Sequence, residues 1–383
     1  MSKIALSFSR WLVGLLFIFS GLIKANDPLG FGYKLQEYFE VFHVAFLNDW
    51  ATGIAILLCV LEIVFGALLC FGFWRNQVTK GLLGLIIFFT FLTFVSAAFK
   101  VVTSCGCFGD AIPLTPWQSF GKDLILLVLI VYLFINRAKI NPITKNEKWQ
   151  SALFILVTVI SFGFGVFTYN FLPIIDFLPY KVGSSIPESM KIPEGAPLDE
   201  FLIMYQLKHK KTGETKTMSD KDYMKLEVWK DENWEVVGEP EKKLIKKGFE
   251  AKIKDLIISD ASGTDYTKEI VENPFYNLII VAYNLNHTNE DAVAKTNALA
   301  LNAVEQFNVR SVLLTSNSAK DAEVFSKKLK LFMEVFYADA VPLKSMVRAN
   351  PGILLLKNGV IVNKWHYHNL PSFDELSKTY FSK

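Results

Sequence analysis

Five stretches of this chain are too long and too apolar for a water-soluble fold: residues 6–25, 51–74, 81–99, 119–135 and 150–172. A hydrocarbon layer of about 30 Å is crossed by about 20 helical residues. Within that layer each backbone N–H and C=O must be satisfied inside its own segment, which leaves the helix as the form these stretches take. All five fall before residue 175. The rest of the chain has ordinary charge density, so the average of 51% hydrophobic and 20% charged residues conceals two environments. Lys3 and Arg10 precede the apolar core of the first stretch as basic residues precede that of a signal peptide. That core is long, however, and no small-x-small cleavage site follows it, so it reads as a first span.

Lysine and arginine collect on one set of flanks, at Lys3, Arg10, Arg75, Lys80, Arg137, Lys139, Lys145 and Lys148. The opposite flanks hold chiefly Lys24, Lys34, Lys100 and Lys122. Cytoplasmic flanks are the ones enriched in basic residues. A cytoplasmic N-terminus and five spans put everything after residue 172 outside, which in a Gram-negative inner membrane is the periplasm. The net charge is only +3, and no basic stripe interleaves with aromatics, so nucleic acid is not an expected partner.

All four cysteines, Cys59, Cys70, Cys105 and Cys107, lie in the membrane half. Cys105-Gly106-Cys107 falls in the external loop between spans three and four. Two thiols one residue apart close only a small strained ring, for which Gly106 supplies backbone freedom. Strain favours reduction, which suits an exchangeable pair; a permanent disulfide and two idle thiols are the alternatives. A zinc site would need further ligands, which the neighbourhood lacks. Cys59 is either a relay to that loop or a packing residue, and Cys70 the latter. Glu62 falls near mid-bilayer, where a carboxylate marks a functional or interhelical contact. By helical rise Arg10 is the nearer cation and Lys24 the more distant one. The alternative is a protonated Glu62 hydrogen-bonded within the bundle.

Arg10, Ser20-Gly21, Lys24, Glu62, Gly66 and the loop Cys105-Gly106-Cys107-Phe108-Gly109-Asp110 together resemble the DoxX and MauE group of membrane proteins, over residues 5–137. The resemblance implies a four-helix domain concerned with thiol-disulfide handling outside the membrane, or with maturing envelope proteins that need it. A fifth span and a large soluble part depart from that family's simple pattern.

Prolines at 173, 179, 187, 193 and 197 stiffen the connector after the fifth span. Residues 201–210 alternate as a strand, 211–214 turn, and 215–218 return; Ser219 with Asp222 starts a helix. From residue 251 the pattern gives strands at 277–283, 309–315, 334–337, 353–356 and 360–364. Helices are expected at 319–330, at 373–380, and from a cap at Thr288 and Asp291 to 307. This order resembles the thioredoxin fold, especially its TlpA-like members, over residues 251–383, with Pro351 at the family's cis-proline position. Where that family carries Cys-x-x-Cys, this chain has Asn286-His287-Thr288-Asn289. With no nucleophile there, the domain is expected to bind rather than exchange disulfides, and His287 reads as a surface or capping residue rather than a catalyst. His366 and His368 share a face if their segment is extended, but two ligands do not complete a metal site. No cofactor or metal is expected.

The expected organisation is therefore a four-helix membrane domain at 1–140, a fifth helix and connector at 141–180, a small β-rich subdomain at 181–250, and a thioredoxin-like α/β domain at 251–383. Function reads as an accessory inner-membrane protein of thiol-disulfide handling. Cys105 and Cys107 carry the chemistry, Arg10, Lys24 and Glu62 act within the membrane, and Asn286, His287 and Pro351 bind. Expected partners are the lipid bilayer and a periplasmic client or envelope complex. The alternative is a non-enzymatic scaffold with a structural cysteine pair. A transporter or quinone-linked subunit using Glu62 and Arg10 has less support, since no broken helices or internal repeat are evident.

Overall fold

A computed structural model of the protein describes residues 3–99, 108–197, 199–246 and 248–382. Six helices precede the soluble part: α1 (Lys3–Asn26), α2 (Pro28–Val41), α3 (Ala51–Phe71), α4 (Arg75–Phe99), α5 (Pro116–Ile135) and α6 (Glu147–Phe171). All but α2 are long and apolar enough to cross a membrane, as the five apolar stretches require. The protein is a multi-pass membrane bundle joined to a soluble α/β part.

Helix α2 fills the segment between the first two spans, for which the sequence reading offers no element. Asp27 starts it, its carboxylate accepting from Gly30 N at 2.8 Å, with Pro28 in the first turn. An acidic N-cap followed by proline is a strong start signal. Phe31, Leu35 and Tyr38 on its inner side are buried.

Glycine lets α1 and α3 approach each other closely. A Cβ on Gly66 would lie 2.7 Å from Gly14 O and 2.9 Å from Ile18 Cγ1. Apolar collapse does not drive helices together in lipid, so such small residues let backbones approach and gain dispersion contacts instead. Val13, Phe17, Val64, Leu68, Leu82 and Ile130 pack around this seam. Helix α6 joins through Gly165, whose Cβ would stand 3.3 Å from Ile56, and through Thr168, which donates to Ala25 O at 2.5 Å.

The chain divides into two compact units, Met1–Ser185 with Leu256–Lys383, and Ile186–Asp255. The second holds α7 (Ile186–Met190), β1 (Glu200–His209), β2 (Thr215–Ser219), α8 (Asp220–Lys225), β3 (Trp234–Val236) and β4 (Glu241–Lys246). Strand β1 is its centre, antiparallel to the other three. Ser219 caps α8 by accepting from Asp222 N.

The remaining elements are α9 (Thr267–Val271), β5 (Tyr276–Val281), α10 (Glu290–Phe307), β6 (Arg310–Thr315), α11 (Ala319–Leu329), β7 (Glu334–Tyr337), α12 (Ala340–Met346), β8 (Gly352–Lys357), β9 (Val360–His366) and α13 (Phe373–Leu376). Their sheet has the order β7-β6-β5-β8-β9, with β5, β6 and β7 parallel and β8 and β9 antiparallel. That is a thioredoxin-type sheet. Residues Asn277 to Val281 are all buried, as expected of a central strand covered on both faces. Helix α10 is capped by Asn289 rather than Thr288, its side chain accepting from Ala292 N at 3.0 Å. Helix α12 has no counterpart in the sequence reading, because Pro342 interrupts its pattern.

The glycine seam gives a direct expectation. Gly66→Ala should destabilise the bundle by about 1–3 kcal/mol, since its methyl group meets backbone that cannot yield. Gly84→Ala, with nothing within 4 Å of its Cβ, should be neutral or stabilising. Thermal melting of the detergent-solubilised protein distinguishes them; equal behaviour would contradict the seam.

Candidate functional site

The site is built at the end of the bundle where α1 gives way to α2. Glu62, on α3, is 1% exposed, and its Oε1 accepts from Lys24 Nζ at the end of α1. The Lys24 ammonium also lies 5.1 Å from the centre of the Phe31 ring and 4.6 Å from that of Phe89. The expected partner for Glu62 was Arg10. Fourteen helical residues, about 21 Å, separate Arg10 from Lys24, and Arg10 instead donates to Asn141 O at 3.2 Å. Lys24 wins because α2 folds over it and supplies Phe31 as a roof, so a cation that reads as superficial is buried. A buried pair of this kind is costly to break from one side only.

A second buried acid escaped the sequence reading. Asp123, on α5, is 1% exposed; it pairs with Lys122 at 2.7 Å and accepts from Thr93 Oγ1 at 3.0 Å. The available signal was a carboxylate two turns into an apolar span.

Directly above, the thioredoxin-like part is fastened to the bundle. Arg348, in the segment leading to Pro351, donates from Nε to Asp27 Oδ2 at 2.8 Å and from Nη2 to Asp110 Oδ2 at 3.2 Å. Tyr33 of α2 and Tyr283, just past β5, share a hydroxyl hydrogen bond of 2.9 Å. Lys364 of β9 pairs with Asp176 after α6. Burial pushes the Asp110 carboxyl up, opposed by Arg348. It pulls the Lys364 amine down, opposed by Asp176. A vestibule of about 460 Å³ opens here, lined in part by Asp27, Tyr33, Lys34, Asp110, Lys344 and Arg348.

The Asn350–Pro351 peptide is cis. Asn350 joins the segment that stands in place of Cys-x-x-Cys: its side chain donates to Asn284 O at 2.8 Å, and its carbonyl accepts from Asn289 N at 3.2 Å. Pro351 is buried, whereas Asn286 and His287 are exposed. The surface of this face is therefore formed by Asn286 and His287 rather than by the proline.

Cys105 and Cys107 lie outside the described residues. Phe108, which follows them, packs its ring 5.7 Å from Phe19 and 5.0 Å from the Lys122 ammonium. Cys59 and Cys70 are free, buried thiols on α3. A Cβ on Gly21 would lie 3.0 Å from Cys59 O, and one on Gly14 would collide with the Cys70 sulfur, so both cysteines belong to the glycine seam.

His366 ends β9, but His368 sits in a 3-10 turn, so the two do not alternate along one extended face. Instead His366 Nδ1 accepts from His368 N at 3.2 Å, and His368 Nδ1 is 3.0 Å from Asn170 O. Burial and then the neighbouring His368 pull the His366 imidazole down to about 4, which keeps that acceptor nitrogen unprotonated at neutral pH. Among the described residues no cluster of three or more His, Cys, Asp or Glu side chains could hold a metal ion.

The fold and this junction define a membrane bundle with a thioredoxin-type domain anchored to one end. Residues 2–136 match the family described as Methylamine utilisation protein MauE, so the membrane part is a MauE-type domain. Over 157 residues the chain is 30% identical to Protein TlpB of Flavobacterium psychrophilum, an alignment covering 40% of this chain and 42% of that protein. The chain thus spans less than half the length of that relative. No solved structure matches.

The buried pair yields a thermodynamic test. Lys24→Met should cost about 3–5 kcal/mol by stranding the Glu62 carboxylate, and adding Glu62→Leu should recover most of it. Arg10→Met and Glu62→Leu, lacking contact, should simply add. Residual folded protein after heating in detergent measures each. Recovery with Arg10→Met instead of Lys24→Met would contradict the assignment.

Proposed function

We propose that the protein is an accessory component of thiol-disulfide handling at the outer face of a bacterial inner membrane. In this reading Cys105 and Cys107 are the exchangeable pair, and the thioredoxin-like domain recognises without reacting. The observation that carries it is the hydrogen bond from Arg348 to Asp110. Arg348 stands three residues before Pro351, and Asp110 three residues after Cys107. A thioredoxin-type binding loop without thiols is thereby tied to the segment following a Cys-x-Cys pair. The two halves complement each other: one has the fold for gripping an extended thiol-bearing client, the other the sulfur atoms.

The match of residues 2–136 to MauE agrees with a membrane-embedded, thiol-related role. Orientation follows from charge. Arg10, Arg75, Arg137 and Lys139 collect at the end of the bundle away from Arg348, where Arg75 donates to Ala138 O at 2.7 Å. Cytoplasmic placement of that end puts the cysteine segment and the soluble domain in the periplasm. The partner is a periplasmic client or an envelope complex, met at the exposed Asn286 and His287.

The two roles should separate. With Cys107→Ser, a client whose disulfide is attacked by Cys105 should remain as a mixed disulfide, its other sulfur leaving as a thiol, and denaturing electrophoresis without reductant should retain it. Asn286→Trp with His287→Trp should reduce that trapped species several-fold while leaving the alkylation rate of Cys105 unchanged. Full complementation of a deletion by the Cys105→Ser, Cys107→Ser double variant, under both oxidising and reducing growth, would replace this reading with a scaffold.

A further inference from the structure

Beneath the junction, α1 to α5 enclose a cavity of about 210 Å³ that the reading above leaves unused. About 150 Å³ is enough for one benzene ring in a protein interior. The wall is largely aromatic, with Phe17, Phe31, Tyr38, Phe89 and Phe108, and Leu126 closes one side. Two polar features interrupt it. Glu62 lines the cavity, and while Lys24 takes its Oε1, its buried Oε2 has no hydrogen bond among the described residues. An unsatisfied carboxylate oxygen inside a protein calls for an O–H or N–H donor. The second feature is Lys122, whose ammonium is held by Asp123 and stands over the Phe108 ring. Both residues line the cavity, Glu62 with a carboxylate and Lys122 with an ammonium. Most of the wall belongs to helices long and apolar enough to cross a membrane, so it suits a lipid-soluble ring.

We infer that the cavity binds the ring of a membrane-soluble benzoquinone and its quinol, the quinol hydroxyl donating to Glu62 Oε2. Phe108 ties this site to the cysteines, since it lines the cavity and is bonded to Cys107 through one peptide. The chemical consequence rests on the thiol-exchange reading. The Cys105 and Cys107 thiols lose two protons and two electrons as their S–S bond forms, and the quinone takes up both pairs to become the quinol. The bilayer thereby supplies the oxidant, and Lys24 takes the place that Arg10 held in the sequence-based version of a quinone-linked protein.

The test is titration of the detergent-solubilised full-length protein with a decyl-tailed benzoquinol, with decanol as the control for the tail. Saturable one-to-one binding is expected, at least tenfold weaker in Leu126→Trp and in Leu92→Phe, which fill the cavity from different helices. Binding should be unchanged in the Cys105→Ser, Cys107→Ser double variant, because the ring site does not need the thiols. Absence of saturable binding, equal binding of decanol, or full retention in both filled variants would overturn the site, with the thiol-exchange reading left standing. In a second arm the reduced protein is mixed with the decyl-tailed benzoquinone, and one quinol per cysteine pair is expected. Binding without that conversion removes the redox coupling and leaves the ring site.

Discussion

One guanidinium organises this molecule. Arg348 is 6% exposed and lies between Asp27 and Asp110. A cation so far from water is tolerated only where carboxylates and carbonyls replace its hydration. Three distant parts of the chain must therefore arrive together: the start of α2, the segment after Cys107, and the loop before Pro351. Asp27 serves twice, accepting from Gly30 N through Oδ1 and from Arg348 through Oδ2. Gly30 is required by the same geometry, since a Cβ there would lie 2.9 Å from Arg348 Nη2.

The charged groups at this end are stacked in tiers. Arg348 with its two aspartates holds the soluble domain to the bundle. Below it Lys24 and Glu62 join α1 to α3, and Lys122 with Asp123 marks α5. Helix α2 separates the upper tier from the lower, with Asp27 and Tyr33 facing upward and Phe31 lying against Lys24. A loop in place of α2 would expose Lys24 and weaken both tiers. The arrangement puts a polar vestibule directly over an aromatic cavity, with Lys24 and Phe31 bordering both.

Much of the fold was legible because its signals are local. The five spans follow from length and apolarity, and the thioredoxin order from strand and helix periods that each declare themselves within about ten residues. The junction was not legible for the opposite reason. Arg348 finds Asp27 across 321 residues, and nothing near either residue in the sequence announces the other. The Glu62 partner was misassigned because depth was judged from straight spans, which cannot anticipate a helix folding back over Lys24. That helix has a signal of its own in Asp27-Pro28, while its polar Lys34, Glu37 and Glu40 keep it from reading as a span. Asp123 was lost beside Lys122, where a flank residue and a buried acid are adjacent in sequence.

The central claim is that Arg348 fixes the thioredoxin-like domain on the end of the bundle that bears the cysteine segment. Electron spin-echo distance measurement tests it most directly. Spin labels would be placed through non-natural amino acids at the exposed positions Glu40 on α2 and His287, leaving the native cysteines intact. A single narrow distance distribution is expected, with marked broadening in Arg348→Ala. A broad distribution in the otherwise native chain, or an equally narrow one after Arg348→Ala, would contradict the account.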